Sequence, residues 1–494
     1  MADNILFLMT DQHTQSTLGS YGNTVVATPN LDRIAAMGTR FSETFTPTAI
    51  CTPARASLLT GAAPFRHKLL ANYERNVGYI EDLADGQFTF AEALKGAGYQ
   101  LGLVGKWHGG VQKTAATYGF EGPQYEGWHN PVDHPDYRAW LAQNDLPAYE
   151  IGEKIRGVTP NGGEGNLLAA RLRQPMEATF EHYLVDRTIE MLERFAAGGK
   201  GAPAPFFLAT HFFGPHLPYI LPDEFFDMYD PDTIELPESV HETFENKPPV
   251  QKNYSGLWTY DTLPEATSRK LIAAYWGYVT MIDLEIGRIL DAMDRLGLME
   301  STAIMMTADH GEFTGAHRLH DKGPAMYDDI YRIPGLVRVP GAPAGQVRDE
   351  LVTLTDFTAT ILDIAGLDTS PAVDSRSLLP LVEGADLPWS DTVLCEYHGH
   401  HFPYPQRMLR SKTHKLVVNP ESVNELYDLV ADPSELTNRI DDPAHRAVRD
   451  GLMTDLYEQL RARGDNFYHW MTPMFEIGGA DYDSTLSAFE NADA

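Results

Sequence analysis

The chain has 494 residues, 43% of them hydrophobic and 22% charged, a balance that fits a globular protein and excludes disorder, collagen-like chains and coiled coil as overall classes. Against 69 Asp plus Glu stand 38 Lys plus Arg, a formal net charge of −31, so the surface repels nucleic acid and anionic membrane and an anionic substrate needs a locally positive site. Two cysteines, Cys51 and Cys395, exclude a disulfide framework, and no run reaches the roughly 18 apolar residues that a transmembrane helix requires.

The opening MADNILFLMTDQ has neither a basic leader nor a cleavage site, so the expectation is a cytoplasmic protein, with a mature form of a secreted precursor left open. Residues 5–10 (ILFLMT) are a short apolar run ending at Asp11 and Gln12. That pattern predicts a strand buried on both faces whose C-terminal edge carries function. Residues 29–37 (PNLDRIAAM) predict a helix opened by proline, and residues 90–98 (FAEALKGAG) a helix closed by glycine. A strand at 101–104 runs into Gly105-Lys106-Trp107-His108, and one at 205–211 (PFFLATH) precedes Pro215-His216-Leu217-Pro218-Tyr219. Residues 268–296 carry apolar side chains near helical period. A strand at 303–307 (AIMMT) leads into Ala308-Asp309-His310-Gly311, and residues 356–365 read as a further helix. Runs at 392–397, 408–410, 415–418 and 426–429 predict a small antiparallel sheet, followed by a helix at 443–463. NGGEG at 161–165 and GGKG at 198–201 read as surface loops.

The expected fold class is therefore α/β. Residues 1–385 form a large, mostly parallel sheet with helices on both faces, and residues 386–494 a smaller C-terminal unit with an antiparallel sheet. Polar groups follow strands at 11–12, 106–108, 211–216 and 309–310. Strand ends of one parallel sheet lie along one edge, so these groups can converge.

The segment Cys51-Thr52-Pro53-Ala54-Arg55-Ala56-Ser57-Leu58-Leu59-Thr60-Gly61 is the most informative. Pro53 suits a helix start, which puts Cys51 at a helix N-terminus, where unpaired N–H groups favour an anion. Arg55 lies about one turn on and can reach the same spot. Taken alone, these residues also fit a buried cysteine on a core helix.

The C-x-P-x-R stretch with its following Leu-Thr-Gly resembles the signature of type I sulfatases of the alkaline phosphatase superfamily; position 54, often Ser there, is Ala here. ILFLMTDQ, Thr28-Pro29-Asn30-Leu31-Asp32, GKWH, PHLPY, ADHGEFTGAH and the late ELYDL are similar to that family in order and spacing over nearly the whole chain. The resemblance implies the alkaline phosphatase-like fold and a Cys51 oxidised to formylglycine by a formylglycine-generating enzyme. It further implies one divalent metal held by Asp11, Gln12, Asp309 and His310. Two carboxylates and an amide oxygen suit Ca²⁺, and the nitrogen of His310 leaves Mn²⁺ as the alternative. Many sulfatases carry Asp at the position of Gln12 and Asn at that of His310. Lys106, Lys322 and Arg55 would bind sulfate oxygens, while His108 and His216 handle protons. In the implied reaction a hydroxyl of the hydrated aldehyde attacks sulfur, His216 with Lys322 protonates the leaving alcohol, and His108 takes the proton that lets sulfate depart.

This reading makes the chain a sulfuric ester hydrolase, arylsulfatase-like, acting on a small sulfate ester; aryl, alkyl, choline and sugar sulfates stay open, and self-association is compatible. A phosphonate monoester or phosphodiester hydrolase shares the cysteine signature and both metal pairs, but is expected to carry Tyr and Thr near the positions of Lys106 and His108. A non-catalytic binding protein on the same fold would require broken chemistry. Weaker signals remain. His398-Gly399-His400-His401 reads as a solvent-facing or substrate-contact loop ahead of a metal tract. Asn72, Tyr73 and Glu74 are candidates for the substrate mouth, and His211 for a strand-end cap. Trp128, Trp140 and Trp258 read equally as core or sugar platforms, and Cys395 as a buried apolar residue.

Overall fold

A computed structural model describes residues 4–127, 131–159, 161–198 and 204–472; Trp128 and most of the GGKG segment lie outside them. In chain order the strands are β1 (Asn4–Thr10), β2 (Thr39–Phe45), β3 (Gln100–Lys106), β4 (Gln124–Tyr125), β5 (Ile151–Val158), β6 (Glu164–Leu172), β7 (Phe206–His211) and β8 (Tyr219–Pro222). They continue as β9 (Thr302–Ala308), β10 (Gly335–Arg338), β11 (Gln346–Thr353), β12 (Thr392–His400), β13 (Phe402–Ser411), β14 (His414–Val418) and β15 (Glu425–Asp428). The helices that matter here are α1 (Pro29–Met37), α2 (Cys51–Thr60), α3 (Phe90–Gly96), α4 (Phe180–Ala197), α5 (Glu265–Arg295), α6 (Leu354–Ile364) and α7 (Arg446–Arg463).

The main sheet has the order β11-β2-β10-β9-β1-β7-β3-β4. Only β10 runs antiparallel to its neighbours; the pairs β9-β1, β1-β7, β7-β3, β3-β4 and β2-β11 are parallel. Side chains of β1 alternate between two cores, as period two demands. Leu6 and Leu8 point into one cluster with Leu184, Leu192, Ile286 and Ile289, from α4 and α5. Ile5, Phe7 and Met9 point into the other with Leu58, Phe90, Phe357 and Ile361, from α2, α3 and α6. β1, β3, β7 and β9 thus end side by side on one edge, and the residues that follow them meet there.

The C-terminal strands form an antiparallel meander in the order β12-β13-β14-β15. One face shares a cluster with Phe45, Ile50, Tyr327 and Tyr331 of the main body, and the other is covered by Leu456 and Leu460 of α7. The long pattern at 443–463 divides into a short 3-10 turn, Pro443–His445, and α7.

Several elements escaped the sequence reading. A third sheet, β5-β6-β8, pairs β5 and β6 antiparallel and β6 and β8 parallel. Glu164 and Gly165 of the expected NGGEG loop already belong to β6. β6 begins half exposed and lacks strict alternation, so periodicity could not reveal it. His398 and His400 are not in a solvent-facing loop: both lie in β12, His398 on Glu396 at 2.7 Å and His400 on Glu74 at 2.7 Å, because each imidazole has a buried carboxylate to meet. Trp140 is core, packed among Tyr137, His182 and Tyr183.

Helix α1 is anchored from α5. Buried Asp283 accepts from the Asn30 amide at 3.1 Å, the Leu31 amide at 2.7 Å and the Asn30 side chain at 3.0 Å. This supplies the cap that Thr28 does not provide. Asp283→Ala strands those amides away from water, and chemical denaturation should show a loss of about 1–3 kcal/mol at an unchanged m value.

Candidate functional site

Each site residue is placed by a strand end or a helix start. Asp11 follows β1 and Asp309 follows β9, adjacent parallel strands, so both carboxylates emerge together. Cys51 is the first residue of α2, after the extended Ile50. Its Sγ lies 3.2 Å from His310 Nε2, and ligand atoms of Asp11, Cys51, Asp309 and His310 all fall within 4.8 Å of one another. His310 Nδ1 sits 2.9 Å from the Gly311 carbonyl. A carbonyl can only accept, so Nδ1 carries the proton and Nε2 presents a lone pair to the cluster. Burial pushes the His310 imidazole down from its ordinary range, which keeps it neutral.

Arg55 is bound more closely to the carboxylates than the sequence suggested. Its Nε donates to Asp309 Oδ2 at 2.9 Å and its Nη2 to Asp11 Oδ2 at 2.8 Å. Its Nη1 reaches the Lys106 carbonyl at 3.0 Å. Lys106 Nζ lies 2.6 Å from Asp11 Oδ2. Burial alone would raise the Asp11 pKa, but the positive charges beside it, Lys106 foremost and Arg55 with it, hold it well below the usual carboxylate range. Asp11 Oδ1 is buried and has no hydrogen-bond partner, an oxygen shaped for a cation. Gln12 Nε2 donates to Glu312, and Gln12 Oε1 accepts from Lys322 at 3.2 Å.

Lys322 Nζ also donates to His216 Nε2 at 2.9 Å and to Asp321 Oδ1 at 2.9 Å. Burial disfavours its charge, but Asp321, Cys51 and Asp11 outweigh that and hold its pKa well above the ordinary value. Lys322 therefore keeps its proton and donates it in a hydrogen bond to His216 Nε2. His108 is buried, and burial, then Lys106 and Arg55, push its imidazole well below the usual range, leaving it neutral. Both Gln12 (φ 61°) and His108 (φ 46°) hold left-handed backbone, which concentrates at functional positions. Gly105 has φ 107°, and a Cβ there would lie 1.9 Å from the His211 carbonyl oxygen, so only glycine lets β3 approach β7 and deliver Lys106.

All ten expected site residues thus lie in one region. His211 stands behind it, its Nδ1 donating to the Lys106 carbonyl at 3.1 Å. Asn72 Oδ1 accepts from the Thr52 amide at 2.9 Å and steadies the start of α2. Glu74, His400 and His401 form a separate cluster nearby. The sequence reading assigned no role to Glu312, Asp321 or Glu181. Asp321 was legible as the acid next to Lys322, whereas Glu181 sits in a helix with no motif. A cavity of about 340 Å³ opens beside Lys106 and His216, with Glu181 in its wall.

The sequence profile described as Sulfatase matches residues 3–367, and that described as N-sulphoglucosamine sulphohydrolase, C-terminal, matches residues 315–462. The chain belongs to the sulfatase family and is a sulfatase. It is 29% identical to YidJ, an uncharacterized sulfatase of Escherichia coli (strain K12), over 94% of this chain and 89% of that one. It is 27% identical to an arylsulfatase of Clostridium perfringens (strain 13 / Type A), over 94% of this chain and 96% of that one. Among solved structures, the phosphonate monoester hydrolase of Agrobacterium radiobacter shares the fold with a TM-score of 0.75 at 23% identity, covering 93% of this chain and 95% of that one.

Arg55→Met leaves two buried carboxylates facing each other without their bridging cation. In the presence of a chelator, guanidinium unfolding should place this variant about 3–5 kcal/mol below wild type.

Proposed function

We propose that the chain hydrolyses a small sulfate monoester to alcohol and sulfate, with Cys51 converted to formylglycine and a divalent cation, Ca²⁺ ahead of Mn²⁺, at Asp11, Gln12, Asp309 and His310. The observation that carries this reading is the meeting of Cys51, Asp11, Asp309 and His310 at the start of α2, flanked by Lys106 and Lys322. The orphaned Asp11 Oδ1, the Asp309 carboxylate and the lone pair of His310 Nε2 fit a hard-to-borderline metal. Bound there, the cation would act as a Lewis acid beside the hydrated aldehyde of residue 51, which supplies the nucleophile.

The chain's own residues then divide the work. Lys106 and Lys322 hold the non-bridging sulfate oxygens, and Arg55 keeps the two carboxylates in register. His216, with Lys322 hydrogen-bonded to it, delivers a proton to the ester oxygen as the bond to sulfur breaks, so the alcohol departs neutral. Neutral His108 accepts a proton as sulfate is released. We assign this chemistry to residues 1–385 and read 386–494 as the smaller C-terminal unit. A maturation enzyme that oxidises Cys51 is required.

A phosphonate monoester hydrolase is the second reading, favoured by the Asp11-Gln12 and Asp309-His310 pairs and by the shared fold. Lys106 with His108 speaks for sulfate esters. The test compares 4-nitrophenyl sulfate with a 4-nitrophenyl phosphonate ester, using metal-loaded protein whose residue 51 is verified by mass. The sulfate ester should be turned over faster, and Cys51→Ala should lose at least about 10³-fold in kcat. Faster phosphonate cleavage, or full activity of Cys51→Ala, would defeat the reading. Asp11→Asn should weaken Ca²⁺ binding at least about tenfold, visible in calorimetry without any turnover.

A further inference from the structure

The cavity beside Lys106 and His216 is where the alcohol half of a bound ester must extend, because those two side chains mark the sulfate and the leaving oxygen. Its wall is mostly carbon: the rings of Tyr149, Phe180, Phe213 and Tyr278, with Leu217 and Ile220. A polyhydroxylated sugar would leave several hydroxyls against that surface without partners. One acid interrupts it. Glu181 is 4% exposed, and its Oε1 accepts from the Gly214 amide at 3.2 Å and the Tyr278 hydroxyl at 2.8 Å.

Among the described residues no lysine, arginine or histidine forms an ion pair with Glu181, and its charged neighbour Glu285 is of like sign. A buried carboxylate without a counter-charge is costly, and a cationic ligand would remove that cost. The surrounding ring faces attract the same kind of group. Net charge points the same way. A chain of −31 repels a polyanionic sulfated polymer, whereas an ester carrying its own ammonium is a zwitterion and feels no net repulsion.

We infer that the alcohol released by this sulfatase is a small organic ammonium alcohol, its cationic head seated in this cavity against Glu181 and the rings of Tyr149, Phe180, Phe213 and Tyr278. The inference rests on the sulfate-ester reading above. It makes Glu181 a specificity residue, outside the bond-breaking machinery.

The test uses an isosteric pair, 2-(trimethylammonio)ethyl sulfate and its neutral carbon analogue 3,3-dimethylbutyl sulfate, with 4-nitrophenyl sulfate as reference, on matured and metal-loaded protein. The charged ester should exceed the neutral one about tenfold or more in kcat/KM. Glu181→Gln should bring that ratio toward one. Tyr149→Leu, which leaves the carboxylate and its hydrogen bonds in place, should lower the ratio severalfold and serves if the Glu181 variant does not fold. Equal turnover of the two esters overturns the inference while leaving the sulfatase reading intact. An equal loss on both esters in Glu181→Gln, or an unchanged ratio in Tyr149→Leu, overturns it too, because Glu181 would then only support the Gly214 loop. Failure on all three esters sinks the underlying reading and the inference with it.

Discussion

The site depends on one buried contact, the guanidinium of Arg55 spanning Asp11 and Asp309. Parallel pairing of β1 with β9 forces two carboxylates out at the same depth, and neither has water to screen it. Two like charges so placed would repel and raise their own proton affinity. Arg55 answers both at once through separate nitrogens, which lysine could not do. Because Arg55 stands one turn beyond Cys51, the same contact fixes where α2 begins and therefore where residue 51 points. Lys106, arriving from β3, supplies the second cation.

This arrangement explains how a strongly acidic chain can accept an anion. Asp11 and Asp309 are balanced by Arg55 and Lys106, and Asp321 by Lys322, so the cluster is near neutrality before any metal is counted. A divalent cation would make it locally positive and ready for a sulfate group. The left-handed backbone at Gln12 and His108 and the close approach at Gly105 are the conformational costs of bringing four strand ends so near.

The two halves of a bound ester would meet opposite environments. The sulfate half meets fixed charges, each satisfied by a neighbour, so little reorganisation is needed as charge develops. The alcohol half meets aromatic carbon and one acid lacking a counter-charge. The C-terminal sheet is not an appendage to this site. Glu396 on β12 accepts from the Phe65 amide at 2.9 Å, and Tyr331 donates to the Glu396 carbonyl at 3.1 Å. The sheet therefore braces, from outside, the segment that follows α2 and the one that precedes β10.

What the sequence determined by itself was local and periodic. The buried runs of β1, β3, β7 and β9 read as strands because both faces are apolar, and the polar residues after each stood out against them. The Cys51 to Gly61 segment resembled a sulfatase signature, and that resemblance, rather than spacing alone, implied its chemistry and named the remaining site residues. The tertiary structure alone decided matters that depend on residues far apart in the chain. It showed that Arg55 ties the carboxylates together, that Lys322 donates to His216, and that His400 turns inward to Glu74. It also revealed the β5-β6-β8 sheet, whose half-exposed β5 and first half of β6 carry no clear period, and placed Glu181 in a cavity wall. No spacing rule encodes such contacts, because they arise only when elements tens to hundreds of residues apart pack against one another and each buried charge must find its partner or go without.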